Sequence, residues 1–270
     1  MAITDMLEEI SARQTGSGRF GEARMWGVAV GIVVENYNQD RPGYIKVRLP
    51  LRDEEEGELR WVKPVAPYAG KDWGFFFQPE KDDQILLAFE NGSIEKAYML
   101  GALSREKDTL RRESADADNQ KKRIVGRNGS QILFWDDREG KGEKDRITVQ
   151  TAGEGHKIEL DNAKARIVLK DKDGNCEIEL GTKEGDMKVT AARKLSIKVG
   201  DSIQVSMNGD SGEIQVKASK VTVQADNSLA LKSNGSAKLS GQQTILEASS
   251  MLKIAGSGMV TVSGSPIKLG

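Results

Sequence analysis

The chain has 270 residues, of which 37% are hydrophobic and 30% charged, and its 40 basic side chains are balanced by 41 acidic ones. That length suits one large domain or two medium ones, and the charge balance predicts no broad electrostatic attraction to nucleic acid or to an anionic membrane. The only cysteine, Cys176, excludes an internal disulfide framework and indicates a reducing compartment. We expect it to be a small buried or half-buried hydrophobe.

Residues 1–23 are predicted to be a short helix followed by a flexible arm. Thr4 can cap a helix over residues 4–13, which is marginal alone and therefore has to dock. The docking side chains recur at helical spacing: Ile3, Met6, Leu7 and Ile10. The start of the chain lacks the pattern of a signal peptide, and no stretch reaches the roughly 20 apolar residues of a membrane helix. We therefore expect a soluble protein that is made in the cytoplasm.

Residues 24–103 carry the pattern of a small closed β-barrel. Apolar residues alternate in four segments, namely Val28, Val30, Ile32 and Val34; Ile45, Val47 and Leu49; Leu59 and Trp61; Ile85, Leu87 and Phe89. Asn91-Gly92 is a hairpin signal and leads into a fifth strand, 97–103. Five strands with one long connection, 64–83, predict a barrel of the OB type, and Gly27 and Gly31 suit its bends.

The second half of the chain differs in composition from the first. All fourteen aromatic residues lie at or before Trp135, and only one proline, Pro266, follows Pro79. Residues 104–122 are charged and aperiodic, which predicts a linker. From residue 123 onward short strands recur, each with about two small apolar residues. The pairs include Ile147/Val149, Ile158/Leu160, Ile167/Leu169, Ile178/Leu180, Met187/Val189, Ile214/Val216, Val221/Val223, Leu229/Leu231, Ala237/Leu239, Leu252/Ile254, Val260/Val262 and Ile267/Leu269.

This repeat, with a period between seven and eight residues, predicts an apolar face that points to a shared axis. One chain can coil into a solitary β-helix, or three chains can wind into a triangular prism. Small aliphatic residues suit the narrow interior of a prism, which also has no free lengthwise edge strand. We therefore predict a triple-stranded, intertwined β-helix over residues 123–270. About 15 strands at a spacing of ~4.8 Å would make a rod of about 70 Å.

The motifs together resemble a known group, the baseplate assembly protein V and VgrG-like spike proteins of contractile phage tails and related injection machines. The resemblance lies in the runs 26–33, 43–47 and 61–64, and above all in 74–90, with Pro79 and an acidic turn before an apolar strand that ends in Phe-Glu. The group usually has Gly-Asp where this chain has Asp82-Asp83. The closing segment, 264–269, is similar to the ends of VgrG-type needles.

The resemblance implies a homotrimeric central spike of a baseplate, carried into a phage tail or injection particle. Its OB collar would sit on a separate hub protein and contact other baseplate proteins, while the prism would touch the target membrane transiently. A PAAR-type tip protein would dock on Ser265, Pro266, Ile267, Lys268 and Leu269. For the aromatic group we predict packing in the trimer or against the hub; its members are Trp73, Phe75, Phe76 and Phe77.

No catalytic, metal or cofactor chemistry is predicted, so we expect the protein not to be an enzyme. His156, the only histidine, lies at a corner of the repeat. The runs Asp53–Glu56 and Asp171–Gly174 are predicted to be a solvated loop and a turn, not ion sites. The aromatic group could stack nucleic acid bases, but acidic neighbours oppose phosphate binding, so no nucleic acid partner is expected. The alternative is a single-chain β-helix that binds or cleaves polysaccharide beside an OB domain.

Overall fold

The computed structural model describes residues 25–50 and 61–268. The predicted docking arm, with Ile3, Met6, Leu7 and Ile10, lies outside these residues, as do Asp53–Glu56, Leu59 and Leu269. The chain divides after Lys194 into two compact units. Across the described residues it is all-β, as predicted, with fifteen strands and one short α-helix.

Five strands form the N-terminal barrel. They are β1 (Val28–Glu35), β2 (Lys46–Arg48), β3 (Lys63–Pro64), β4 (Gln84–Phe89) and β5 (Ala97–Ala102). They pair in the order β2-β1-β4-β5-β3, with β3 and β5 parallel and the other pairs antiparallel. A bridge between Ile45 and Val62 joins the two outer strands. The five strands therefore close on themselves, as the OB prediction requires.

The barrel core is built from aliphatic residues on alternate strand positions. Ile45, Val47, Leu49, Ile85 and Leu87 are at most 1% exposed, as the alternation of β2 and β4 predicted. Residues two positions apart on a strand point to the same face, so these side chains all face the barrel interior. The barrel is thus closed around a dry apolar centre.

The inward face of β1 differs from the one that its valines suggest. Ala29, Gly31 and Val33 face the core, whereas Val28 is 58% and Val30 41% exposed. The strand is apolar on both faces, and close packing selects the small residues for the inside. A Cβ at position 31 would collide with the side chain of Val47.

The third strand is displaced by one residue from its prediction. Val62, at 3% exposure, is the buried residue, and Trp61 is only half-buried. Val62 exchanges backbone hydrogen bonds with Ile45, with N–O distances of 2.7 and 3.0 Å. This pairing fixes which residues of the strand point inward. The side chain of Val62 faces the core, and that of Trp61, one position earlier, points to the other side.

The segment 104–122 holds more structure than a linker. It forms helix α1 (Thr109–Ser114), and Lys121 already belongs to the next strand. The Arg105 guanidinium donates to the Asp82 carbonyl, and Arg127 pairs with Glu80 at 3.1 Å. These contacts connect the barrel with the sheet that follows it.

Seven strands then run as an antiparallel meander. They are β6 (Lys121–Val125), β7 (Gln131–Trp135), β8 (Arg146–Gln150), β9 (His156–Asp161), β10 (Arg166–Asp171), β11 (Cys176–Gly181) and β12 (Asp186–Ala191). Each pairs with its sequence neighbours. Gly174 and Gly185 take φ of +72° and +73° in two of the turns, a conformation that favours glycine. Asp171–Gly174 belongs to such a turn, as predicted.

The second unit contains a three-stranded antiparallel sheet. Its strands are β13 (Lys194–Val199), β14 (Ile203–Asn208) and β15 (Glu213–Lys217), in the order β13-β14-β15. Residues 218–268 form no strand in the structure. The apolar pairs from Val221 to Val262, predicted to be strands, have no paired strand among the described residues to complete their backbone hydrogen bonds.

Candidate functional site: an uncovered apolar face

One face of the seven-stranded meander is apolar from edge to edge. The pairing register aligns its side chains in two rows across the sheet. The first row is Ile124, Ile132, Val149, Ile158, Leu169, Ile178 and Val189. The second row is Phe134, Ile147, Leu160, Ile167, Leu180 and Met187. We call these thirteen residues the apolar face.

Nothing in the described part of the chain covers this face. Its central members Ile158, Leu169 and Ile178 are 42%, 45% and 40% exposed. Large contiguous apolar patches are rare on soluble monomers and mark interaction sites. The apolar face is therefore a candidate interaction surface.

The opposite face of the sheet carries charged and polar residues that pair with each other. Glu159 is nearly buried, with its side chain 8% exposed, and contacts Lys157 at 2.5 Å and Arg166 at 3.7 Å. Arg166 also pairs with Glu179 at 3.3 Å. The centre of this face is nevertheless buried, since Thr148, Glu159 and Val168 are at most 6% exposed, so it is the less exposed side of the sheet.

The ionisation of Glu159 is governed by these neighbours. Burial alone would raise its pKa, but the hydrogen bond and charge of Lys157, with a contribution from Arg146, outweigh burial and hold the pKa below its ordinary value. The carboxylate therefore stabilises the folded sheet. This contribution is complete above the pKa of an ordinary glutamate, about 4.3, and is lost as the pH falls through the lower folded value.

We expect Glu159→Gln to lower the free energy of unfolding by about 2 kcal/mol at pH 7, because Lys157 and Arg166 lose their shared carboxylate. The difference between the two proteins should shrink as the pH falls below about 4. Urea denaturation followed by circular dichroism at a series of pH values measures it. Glu184→Gln, on an exposed turn, is the matched control and should change stability by less than about 0.5 kcal/mol. Equal stability of the two variants would contradict the role of Glu159.

Uncovered aliphatic side chains continue into the second unit. Ile214 and Val216 of β15 are 71% and 56% exposed. Beyond β15, Leu231, Leu239 and Ile254 are 91%, 74% and 72% exposed. Many of the residues predicted to line a shared axis thus remain exposed in the described part of the chain.

The predicted aromatic group lies on the barrel surface in the long connection between β3 and β4. Trp73, Phe75, Phe76 and Phe77 are 55%, 53%, 76% and 68% exposed. Trp73 packs on Tyr68 with ring centroids 4.4 Å apart, and Phe75 stacks on Phe77 at 6.1 Å. The structure therefore places the group on one exposed connection, with its ring contacts in two separate pairs.

The remaining predicted site residues are exposed, and His156 and Cys176 lie at strand positions with the parity of the apolar face. Ser265, Pro266, Ile267 and Lys268 are exposed and lie in no strand. His156 opens β9 as an exposed residue, and its backbone N–H donates to the Thr151 hydroxyl at 2.9 Å. Cys176 is exposed at the start of β11, contrary to the expected burial, because its position has the parity of the uncovered apolar face.

The described residues contain neither a metal-binding cluster nor a helix suited to a membrane. No group of three or more histidine, cysteine, aspartate or glutamate side chains in 25–50 and 61–268 is placed to hold a metal ion. In the same ranges, no helix has the length and apolar character needed to cross a membrane.

Comparison with known families decides the identity of the barrel. Residues 29–103 match the model of the type VI secretion system/phage-baseplate injector OB domain. The barrel belongs to this family. The match begins in β1 and ends just after β5, so it covers all five strands of the barrel. It confirms the resemblance to baseplate assembly protein V and VgrG-like proteins. No curated protein was found to match the chain.

Membership of the injector OB domain family gives the chain a structural role in a baseplate. It follows that the chain contacts other baseplate components and is assembled into a phage tail or an injection particle.

The one departure from the family motif has a visible consequence. Asp82, where the group usually has glycine, takes φ of +71°, in the region that favours glycine. The next side chain, Asp83, accepts a hydrogen bond from the Glu80 backbone N–H at 2.8 Å and stabilises the turn.

The charge network around Glu159 was missed by sequence reasoning, although a signal for it exists. Lys157, Glu159, Arg166 and Glu179 all occupy the strand parity opposite to the apolar pairs. Only the antiparallel register places Glu159 beside the strand that carries Arg166.

Proposed function

We propose that the protein is the central spike of a contractile tail or injection-system baseplate, and that three copies of this chain form it. The C-terminal halves wind into one triangular prism that projects from the barrels. Contraction of a sheath drives the rod through the envelope of the target cell, and the trimer nucleates assembly of the baseplate on a separate hub protein.

The uncovered apolar face carries this proposal. The apolar face spans seven strands, and the side chains of its first row are 36–47% exposed. On the opposite face of the sheet, charged side chains form ion pairs with each other. Burial contributes about 25 cal/mol for each Å² of apolar surface, so covering such a face stabilises an assembly strongly.

Copies of the same chain are the best occupants of this face. The apolar repeat continues through residues 218–268, where the described chain forms no strand and the large aliphatic side chains are exposed. A three-fold axis satisfies both deficits at once, because each chain supplies strands beside those of the other two. The absence of aromatic residues after Trp135 suits the narrow interior of such a prism.

The barrel end of the rod would face the hub. The aromatic surface of Trp73, Phe75, Phe76 and Phe77 is exposed in the single chain and suits packing between barrels or against the hub. At the other end, the segment from Ser265 to Leu269 would take a PAAR-type tip protein.

The proposed action is mechanical and not enzymatic. His156, the only histidine in the sequence, lies exposed at the start of β9. The alternative, a solitary polysaccharide-binding β-helix, gains no support, because the sequence has no aromatic residue after Trp135 on which a sugar ring could stack.

Light scattering on a size-exclusion column tests the proposal. We expect three times 29.5 kDa and an elution volume too small for a sphere of that mass. An unboiled sample should also migrate as a trimer in detergent, since no strand of a prism can open without its neighbours. A folded protein of 29.5 kDa would overturn the spike.

A further inference from the structure

The barrel carries an apolar surface of its own, on the outer side of β1 and β4. Val28 and Val30 of β1 face outward and are 58% and 41% exposed. They lie opposite Ala88 and Leu86 of β4, which are half-buried and point to the same side because directly paired residues share a face. Together with Trp26, which is 62% exposed, these four residues are called the outer barrel face.

Closure of the barrel does not account for the outer barrel face. The core uses only the inward side of β1, with Ala29, Gly31 and Val33. The outward positions 28, 30 and 32 of β1 and 86 and 88 of β4 hold no charged residue. Antiparallel strands that face water normally alternate apolar with polar residues. An outward side that is apolar on two neighbouring strands therefore indicates a surface that another element covers.

The described chain begins at the edge of the outer barrel face. Met25 packs against the barrel core, and its backbone N–H donates to the Gly92 carbonyl at 2.8 Å. Trp26 lies over Gly92, where a Cβ would come within 3.2 Å of its ring. Residues 1–24 are therefore attached directly beside this face.

The sequence of the attached segment fits such a surface. The helix predicted over residues 4–13 has Asp5, Glu8 and Glu9 on one side, and its opposite side carries Ile3, Met6, Leu7 and Ile10. Ten helical residues span about 15 Å, and the five residues Val28–Ile32 of β1 span about 13 Å. A helix of this length is marginal alone in water, so its apolar side needs a partner.

The attachment favours this segment over a separate protein as the occupant. Residues 14–24 contain three glycines and have the composition of a linker. Eleven residues reach at most about 40 Å, which is more than the length of β1. A segment held by a short linker meets its site at an effective concentration on the order of millimolar. A separate protein of equal affinity would have to reach that concentration to displace it.

We propose that residues 3–13 dock as a helix on the outer barrel face of their own chain. The apolar side of the helix packs on Val28, Val30 and Leu86, and its acidic side faces the solvent. The inference does not rest on the trimeric spike. The docked helix leaves the aromatic group of the β3–β4 connection free for the hub or for neighbouring barrels.

Alkylation of a single thiol tests this docking. The background is the full-length chain with Cys176→Ser, because Cys176 is the only cysteine and is exposed. The thiol introduced by Val28→Cys should react with a maleimide at least about tenfold more slowly with the unchanged arm than with Met6→Asp/Leu7→Asp, because the reaction requires release of the helix.

Two matched controls accompany this comparison. Val65→Cys, at a barrel position that is 53% exposed, should react at one rate with both arms. Glu8→Gln/Glu9→Gln changes the acidic side of the predicted helix and should leave the thiol at position 28 protected.

Equal rates at position 28 with both arms would overturn the inference, whether that thiol is open to solvent or covered by another element. A rate change at position 65 would overturn it too, since the arm variant would then act on the whole barrel. So would loss of protection with Glu8→Gln/Glu9→Gln. The molecular mass separates these failures from failure of the spike. A trimer with equal rates contradicts only the docked helix, and a monomer with protected Val28→Cys contradicts only the spike.

Discussion

Replacement of Ile158 by aspartate is expected to convert the proposed trimer into a folded monomer of 29.5 kDa. Ile158 lies in the middle of the first apolar row, opposite Val149 on one neighbouring strand and Leu169 on the other. A carboxylate there would be buried without a partner in the assembly but solvated in the single chain, where the position is 42% exposed. The cost falls on assembly, at about 3 kcal/mol or more for each of three chains.

Light scattering and far-ultraviolet circular dichroism of the variant check both parts of this expectation. The mass should fall to one third, while the barrel retains its β-signal. Lys188→Asp is the matched control, since it places the same side chain at an exposed position of β12 between Met187 and Val189. A variant at Ile158 that keeps three times the chain mass would show that the apolar face is not the trimer interface.

The barrel could be predicted from the sequence because its strands alternate clearly and its turns have strong signals. The positions of Ile45, Val47, Ile85 and Leu87 in the core were all correct. The parity of β1 could not be predicted, since Val28 and Val33 are equally apolar. The choice depends on the close approach of Val47 to Gly31, which exists only in the folded barrel.

The repeat was predictable as strands but not as a pairing pattern. Ile158 and Leu160 share one face, as their spacing requires, and so do Ile167 and Leu169. The two-residue alternation of apolar side chains along a strand does not indicate which strands are neighbours in the sheet. In the meander, most strands are joined to the next by short turns, several of them with glycine at positive φ, and this local pairing is favoured over distant partners because its loops are short.

The sequence predicted which apolar residues form the candidate site, but not how they are arranged. The apolar pairs indicated a face directed at an axis, and the structure shows that face as two continuous rows. The helix in residues 109–114 had no periodic signal, because it buries no residue. A segment held by charges and backbone contacts leaves no hydrophobic pattern in the sequence.

Replacement of Leu87 by alanine is expected to destabilise the barrel while leaving the trimer intact. Leu87 is fully buried, and the loss of its side chain leaves a cavity beside Gly31 and Val47. Such substitutions cost about 3 kcal/mol, a factor of more than about 100 in the unfolding equilibrium. The apolar face lies on β6–β12, outside the barrel, so its contacts with other copies are unchanged.

Tryptophan fluorescence during urea denaturation reports on this barrel, because Trp26, Trp61 and Trp73 lie in its segment of the chain. Its transition should move to lower urea in the Leu87→Ala variant, and the mass before denaturation should remain three times 29.5 kDa. Leu100→Ala, at a position that is 47% exposed, is the control and should shift the transition little. If Leu87→Ala instead dissociated the trimer, barrel and rod would be one cooperative unit, and the barrel rather than the apolar face would hold the three copies together.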